Sequence, residues 1–136
     1  NGLYVLPGIA AYAALAGSIP PLLAVVGGWL WTMAMHTFSA IPDIAPDRRA
    51  GIDTTATVLG ARRALAYCGA CWLLAAVAFA LLDPRAGLLF GVYPAGALAL
   101  DVTDVDLSRA YWWFPALNTA TGAILACAGL WGVLRG

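Results

Sequence analysis

The chain contains no lysine and no glutamate, so its formal charge rests on seven arginines and seven aspartates. Charged residues are only 10% of the 136 positions, and the net charge is zero. Ordinary soluble domains carry roughly 25% charged residues. The neutral balance excludes a nucleic-acid partner, because neutralising phosphates needs a basic excess. Cysteine is scarce as well. Cys68, Cys71 and Cys127 all lie in apolar runs, and histidine occurs once, which excludes a disulfide framework and a zinc spacing. No charged signal-peptide segment precedes the first apolar residues. Internal repeats and low-complexity linkers are also lacking. The chain begins at Asn1 and not at Met, and we expect it to be cut from a longer protein.

What is present is apolar. Hydrophobic residues make up 62% of the chain, and the mean hydropathy is +0.84. The class this implies is an all-α, polytopic transmembrane helix bundle, with residues 1–136 forming a single membrane unit. Against the roughly 20 residues needed to cross a bilayer, five segments are expected to span. They are Leu3–Gly17, Ile19 or Pro21 to Ile41, Ala64–Leu82, Ala86–Leu100 and Tyr111–Leu134. The fourth is short and is expected to be tilted little or to break near Pro94. Gly17-Ser-Ile-Pro-Pro21 and Leu82-Asp-Pro-Arg85 read as tight turns, since consecutive prolines end helices and Asp-Pro starts turns. Glycine and alanine occur in every span and permit close helix packing.

Two longer polar connections remain, Pro42–Arg63 and Asp101–Arg109. With alternating helices they fall on one side of the membrane. Arg48, Arg49, Arg62, Arg63 and Arg109 share that side, against Arg85 and Arg135 on the other. The positive-inside rule makes it cytoplasmic. The expected location is therefore the cytoplasmic membrane, with the first connection facing the cytoplasm. Tyr111, Trp112, Trp113 and Trp131 are expected to form aromatic belts.

The first connection is the chemically informative one. Ile41-Pro-Asp-Ile-Ala-Pro-Asp-Arg-Arg-Ala-Gly-Ile-Asp-Thr-Thr-Ala-Thr-Val-Leu-Gly60 sets Asp43, Asp47 and Asp53 beside Arg48 and Arg49. A charge cluster at the end of an apolar segment is costly to place and marks a functional site. Carboxylates at this spacing suit a hard cation such as Mg²⁺, which takes phosphate as a further ligand. Were the second helix to continue through the motif, His36, Ala40, Asp43 and Asp47 would share one face. Pro42 and Pro46 are expected to kink or end that helix. The bland alternative is a solvated loop that merely stops transfer.

Asp43-x-x-x-Asp47-x-x-x-Gly51-x-x-Thr54, closing on Leu59-Gly60, resembles the second aspartate-rich motif of the UbiA superfamily of intramembrane prenyltransferases. The resemblance implies a nine-helix fold of which this chain is the C-terminal half, with the motif following the sixth helix. The family's other motif, Asn-Asp-x-x-Asp-x-x-x-Asp, has no counterpart here. His36-Thr-Phe-Ser-Ala-Ile-Pro-Asp43 and Tyr111-Trp-Trp-Phe-Pro-Ala-Leu-Asn118 are similar to the branch that elongates lycopene to fifty-carbon carotenoids. Phe38 and Ser39 stand where quinone-pathway members carry Tyr, and Asp53 where they often carry Lys.

The resemblance implies a Mg²⁺-dependent transfer of a prenyl group from an allylic diphosphate to a hydrophobic isoprenoid acceptor within the lipid bilayer. Asp43 and Asp47 would be the catalytic, metal-binding pair. Arg48, Arg49, Asp53, His36 and Asn118 are the candidate substrate-binding residues; His36 reads also as a helix-packing or hydrogen-bonded residue, and Asn118 first as a bond across helices. Arg48 and Arg49 serve equally well as topology signals, and Arg62 and Arg63 fit that role better. The allylic cation needs a dry, aromatic-lined pocket, for which Trp29, Trp31, Phe38, Tyr67 and Trp112 are the candidates. The expected partner is the missing N-terminal half of the same protein, and the isolated half is expected to be inactive. Two alternatives stand beside this reading: a quinone precursor or lipid alcohol as acceptor, and a non-catalytic membrane protein or transporter fragment.

Two further patterns are read as structural. Cys68-Gly-Ala-Cys71 lies inside a span without a charged neighbour to activate a thiol, so packing is expected and redox work is not. Asp101-Val-Thr-Asp104-Val-Asp106 approaches a calcium loop but lacks its Gly and terminal Glu, and reads as a solvated loop near the site.

Overall fold

The computed structural model describes residues 2–103 and 105–135. These residues are helical throughout apart from short turns, and contain no strand. A 3-10 turn, Gly2–Val5, leads into α1 (Leu6–Ala16), which ends where Gly17 bonds back to the Ala13 carbonyl at 3.0 Å. The two prolines then set the start of α2 (Leu22–Ser39). After the motif come α3 (Ile44–Ala50) and α4 (Thr55–Leu59), two short helices lying between the spans. The helix α5 (Ala61–Leu82) is followed by α6 (Pro84–Phe90), α7 (Val92–Thr103), α8 (Leu107–Tyr111) and α9 (Phe114–Arg135).

All five expected segments are helical. Among the described residues, three helical stretches are long and apolar enough to cross a membrane: Leu22–Ser39, Ala61–Leu82 and Pro84–Thr103. Gly2–Ala16 is apolar but shorter. The 22 residues of α9 would extend about 33 Å at 1.5 Å per residue.

The fourth segment is interrupted near Pro94, as expected, with the break falling at Gly91. Pro94 is the third residue of α7, where a backbone N–H would have no intrahelical acceptor. The proline therefore expresses itself one turn upstream of its own position. Asp83 caps α6 by accepting from the Arg85 N–H at 2.8 Å, as expected of the Asp-Pro turn.

The bundle packs α2 against α5, and α5 in turn against α6 and α7. The contacts are close because small residues face them. Gly87 is buried against Ala80, where an added Cβ would lie 2.6 Å from Ala80 Cα and 2.9 Å from its N. Such small-residue contacts replace the hydrophobic drive that is missing between helices in lipid. Buried hydroxyls are satisfied locally: Thr32 and Thr37 donate to the Trp29 and Met33 carbonyls at 2.9 and 3.0 Å.

Aromatic rings from four helices meet at the centre. Phe38 of α2, Trp72 of α5, Tyr93 of α7 and Phe114 of α9 are all buried. Their centroids lie 5.0 Å (Phe38–Phe114) to 6.1 Å (Tyr93–Phe114) apart in tilted or edge-on pairs, the geometry aromatic quadrupoles favour. The Tyr93 hydroxyl donates to Asn118 Oδ1 at 2.9 Å, joining α7 to α9.

The ends of the bundle are ordered as the polar connections imply. Arg62, at the start of α5, pairs with Asp101, near the end of α7, at 3.5 Å. This contact puts both polar connections at one end of the bundle. Asp106 caps α8 by accepting from the Ser108 N–H at 2.9 Å. Two of the three acids in that connection thus have local structural work, and Asp104 lies outside the described residues. Trp112 and Trp113 are largely exposed at the same end, as a belt requires.

Candidate functional site

The second helix does not continue through the motif. It stops at Ser39, and residues 40–43 form a turn in which the Asp43 N–H bonds the Ala40 carbonyl at 3.2 Å. Pro42 and Pro46 account for the stop, because neither can donate to a helical ladder. Pro46 then sits third in α3, where that loss is harmless.

Asp43 and Asp47 nevertheless keep a one-turn separation. Asp43 occupies the N-cap of α3, and its carbonyl accepts from the Asp47 N–H at 2.8 Å. The two side chains are one turn apart, on adjacent positions of the same helical face. An N-cap aspartate ordinarily turns its carboxylate onto the first backbone N–H groups. Asp43 does not, because its backbone (φ −91°, ψ 1°) lies outside the extended region that capping uses. Its carboxylate is left free and exposed, while Asp47 is half-buried.

The far end of α3 is locked. Gly51 has φ +68°, a conformation that glycine adopts without penalty. It lets the Ile52 N–H reach the Asp47 carbonyl at 2.9 Å and its own N–H reach that of Arg48 at 3.3 Å, the Schellman pattern. This explains the glycine four residues after Asp47. Thr54 and Thr57 then form a reciprocal capping box on α4, at 3.1 and 2.7 Å.

A cleft of about 260 Å³ opens beside this platform, lined by His36, Ser39, Ala40, Asp43, Thr54 and Thr55 among others. His36, Ala40 and Asp43 therefore do share a surface, as the continuous-helix reading expected, although the helix is broken. His36 packs against Tyr4 in a tilted pair with centroids 3.9 Å apart, and its Nε2 is buried without a hydrogen-bond partner among the described residues.

The other candidates are dispersed. Arg48 is held by the Thr57 carbonyl, which accepts from Nε at 3.2 Å and from Nη2 at 2.6 Å. Arg49 is exposed. Asp53 is also exposed and lines a different cleft, with Thr54, Val58, Leu59 and Tyr67. Asn118 spends its Oδ1 on Tyr93 and lines a third cleft, away from Asp43, with Trp31 and Gly28. Of the aromatic candidates, Trp29 and Trp112 are exposed, and Phe38 belongs to the central cluster. Sequence reasoning missed Trp72, Tyr93 and Phe114, whose grouping depends on helix rotation. It also missed Thr57, for which the Thr-x-x-Thr spacing was an available signal.

An apolar cleft of about 530 Å³ lies against Phe38, Trp72, Tyr93, Trp113 and Phe114. Its lining is apolar apart from Arg109 at the end of α8. Its lining suits an apolar ligand.

The donor set at the motif consists of carboxylate and hydroxyl oxygens. No group of three or more His, Cys, Asp or Glu that could hold a metal occurs among the described residues. This composition fits Mg²⁺, which uses one or two carboxylates and completes its shell with water and substrate phosphate. It does not fit a closed protein cage of the zinc or calcium type.

The chain matches the UbiA prenyltransferase family over residues 2–110. It belongs to that family. Among relatives, it is 62% identical to a lycopene elongase/hydratase of Halobacterium salinarum, which covers all of this chain and 50% of that protein. It is 60% identical to the lycopene elongase/hydratase of Haloferax volcanii, again over the whole chain and 45% of that protein. A 4-hydroxybenzoate octaprenyltransferase of Nitrosomonas eutropha is 30% identical over 85% of this chain and 33% of that protein. The UbiA chain described here thus spans about half the length of its halophilic relatives. No solved structure matches it.

Proposed function

We propose that this UbiA chain carries half of the active site of a membrane prenyltransferase that moves a prenyl group from an allylic diphosphate to a carotenoid, lycopene or a close relative. The observation that carries the reading is the uncapped Asp43 carboxylate, one helical turn from Asp47, at the polar end of an apolar bundle. Mg²⁺ bound by these two carboxylates would neutralise the diphosphate and promote its departure. Asp43 and Asp47 orient the diphosphate end of the donor, and Arg49 and His36 stand near enough in sequence to contact it. The apolar lining beside Phe38, Trp72 and Phe114 disfavours water, which would otherwise quench an allylic cation. Electron-rich ring faces favour that cation. The acceptor double bond attacks it, a new carbon–carbon bond forms, and a proton is lost.

A carotenoid acceptor is supported over a quinone precursor by the 60–62% identity to the lycopene enzymes against 30% to the hydroxybenzoate enzyme. The remaining metal ligands come from a complementary N-terminal half, so this chain alone is inactive. The Asp-rich end faces the cytoplasm, by the arginine bias of that end.

The test uses membranes containing the natively expressed enzyme, labelled dimethylallyl diphosphate, and either lycopene or 4-hydroxybenzoate. Asp43→Ala and Asp47→Ala should each abolish Mg²⁺-dependent labelling of lycopene. Near-wild-type labelling in both variants would overturn the reading. Labelling of 4-hydroxybenzoate alone would replace the acceptor while keeping the family chemistry. Absence of any diphosphate binding would leave a non-catalytic membrane protein.

A further inference from the structure

The geometry points to Arg48 as a positioning residue that aims the Asp43–Asp47 pair, and not as a ligand of the diphosphate. This rests on the reading that the pair holds a divalent cation. The guanidinium uses Nε and Nη2 together on one acceptor, the Thr57 carbonyl, at 3.2 and 2.6 Å. That edge is one of those with which arginine grips a phosphate in a two-point contact, and here it is occupied by the protein itself.

The acceptor needs this partner. Thr57 is buried, and the chain turns at Gly60 (φ +75°), one residue before Ala61, whose N–H would be the helical partner of the Thr57 carbonyl. The Gly60 N–H goes to Ala56, and among the described residues no backbone N–H outside the helices bonds the Thr57 carbonyl. A carbonyl orphaned at a helix end is satisfied by a side chain when backbone and water are withheld. Gly60 also lies beneath the guanidinium, with an added Cβ 4.0 Å from Nη2. Arg48 therefore joins α3 to the α4–α5 junction at a single point.

The consequence falls on Asp47. A seven-residue helix does not hold itself in water or at an interface. Ile44 packs α3 against the core, and among the described residues the side-chain hydrogen bonds of α3 are those of Arg48. Pinning Arg48 sets the rotation of α3 about its own axis. It thereby sets the directions of the neighbouring Asp47 and of Asp43 one turn earlier. Partners that orient metal-binding carboxylates commonly change metal affinity as much as a weak ligand would.

The experiment uses the natively expressed enzyme in detergent, with Mn²⁺ alone as the probe, read by electron paramagnetic resonance. Hydrogen exchange of residues 44–57 is followed without metal. Arg48→Gln should weaken Mn²⁺ binding about 10-fold or more and speed exchange across α3. Arg48→Lys, which can still donate to the carbonyl, should recover part of both. The Michaelis constant for the diphosphate donor at saturating Mg²⁺ should stay near wild type. Unchanged Mn²⁺ affinity and exchange, with a raised donor constant, would overturn the inference and make Arg48 a phosphate ligand. Should Arg48→Gln not fold, Thr54→Val, which loosens α4 while leaving Arg48 in place, takes its role. It should weaken Mn²⁺ binding in the same direction, and no change there is equally fatal. A wild-type protein that does not bind Mn²⁺ would sink the metal reading itself. A wild-type protein that binds Mn²⁺, with Arg48→Gln indistinguishable from it, would sink only the role of Arg48.

Discussion

The Tyr93 hydroxyl donates to Asn118 Oδ1 at 2.9 Å, and this bond ties α7 to α9 beside the aromatic cluster. Asn118 was expected to bond across helices, with substrate contact as the lesser reading. The structure shows the bond across helices. Polar bonds between membrane helices contribute modestly, about 0.6 kcal/mol on average and up to about 1.7 kcal/mol. A double-mutant cycle with Tyr93→Phe and Asn118→Ala, measured by reversible unfolding in detergent, should return a coupling in that range. Zero coupling would show that the bond has no energetic role.

Trp72 is the large side chain shared by most of the cluster, in ring contact with Phe38, Tyr93 and Phe114. It is 3% exposed. Trp72→Ala should cost about 3–5 kcal/mol through the cavity it leaves. Trp72→Phe should cost far less, because the indole Nε1 has no hydrogen-bond partner among the described residues to lose. Equal losses for the two variants in a denaturation series would contradict this account.

Gly87 is where α6 meets α5. Any side chain there would collide with the Ala80 backbone, which cannot move aside as a flexible side-chain tip can. Gly87→Ala should destabilise the bundle by about 1–3 kcal/mol, the usual cost of overpacking. Gly8→Ala, where an added Cβ meets nothing within 4 Å, is the control and should be near neutral. A tolerated Gly87→Ala would mean that α6 packs differently.

Cys68 and Cys71 are buried and free, and Cys68 Sγ donates to the Ala34 carbonyl at 3.3 Å. The pair packs α5 against α2. Replacing both by alanine should leave prenyl transfer close to wild type, in reducing and oxidising buffer alike. Loss of transfer only on oxidation of the wild-type pair would restore a redox role.

Much of the architecture was legible because membrane helices must satisfy their own backbone and announce themselves by long apolar runs. Turn residues placed the breaks at Gly17–Pro21 and Asp83–Pro84 for the same reason. The break near Pro94 was legible too, and it falls at Gly91 because a proline's missing donor is felt one turn upstream. The Asp43–Asp47 pair was legible because four-residue spacing survives whether the helix is continuous or restarted. What each arginine does was not legible, since Arg48 and Arg49 are neighbours in the chain and differ only in the direction they leave α3.

The amino-acid sequence by itself determined that this chain is a helical membrane protein with an aspartate pair at one polar end. Both follow from local patterns, of hydropathy and of spacing, that need no partner elsewhere in the chain. Tertiary structure alone decided which side chains meet: Arg48 with the Thr57 carbonyl, Tyr93 with Asn118, and Phe38 with Trp72 and Phe114. Those pairings depend on how each helix is rotated about its axis. In a chain this apolar, the hydrophobic face that would report the rotation runs all the way round.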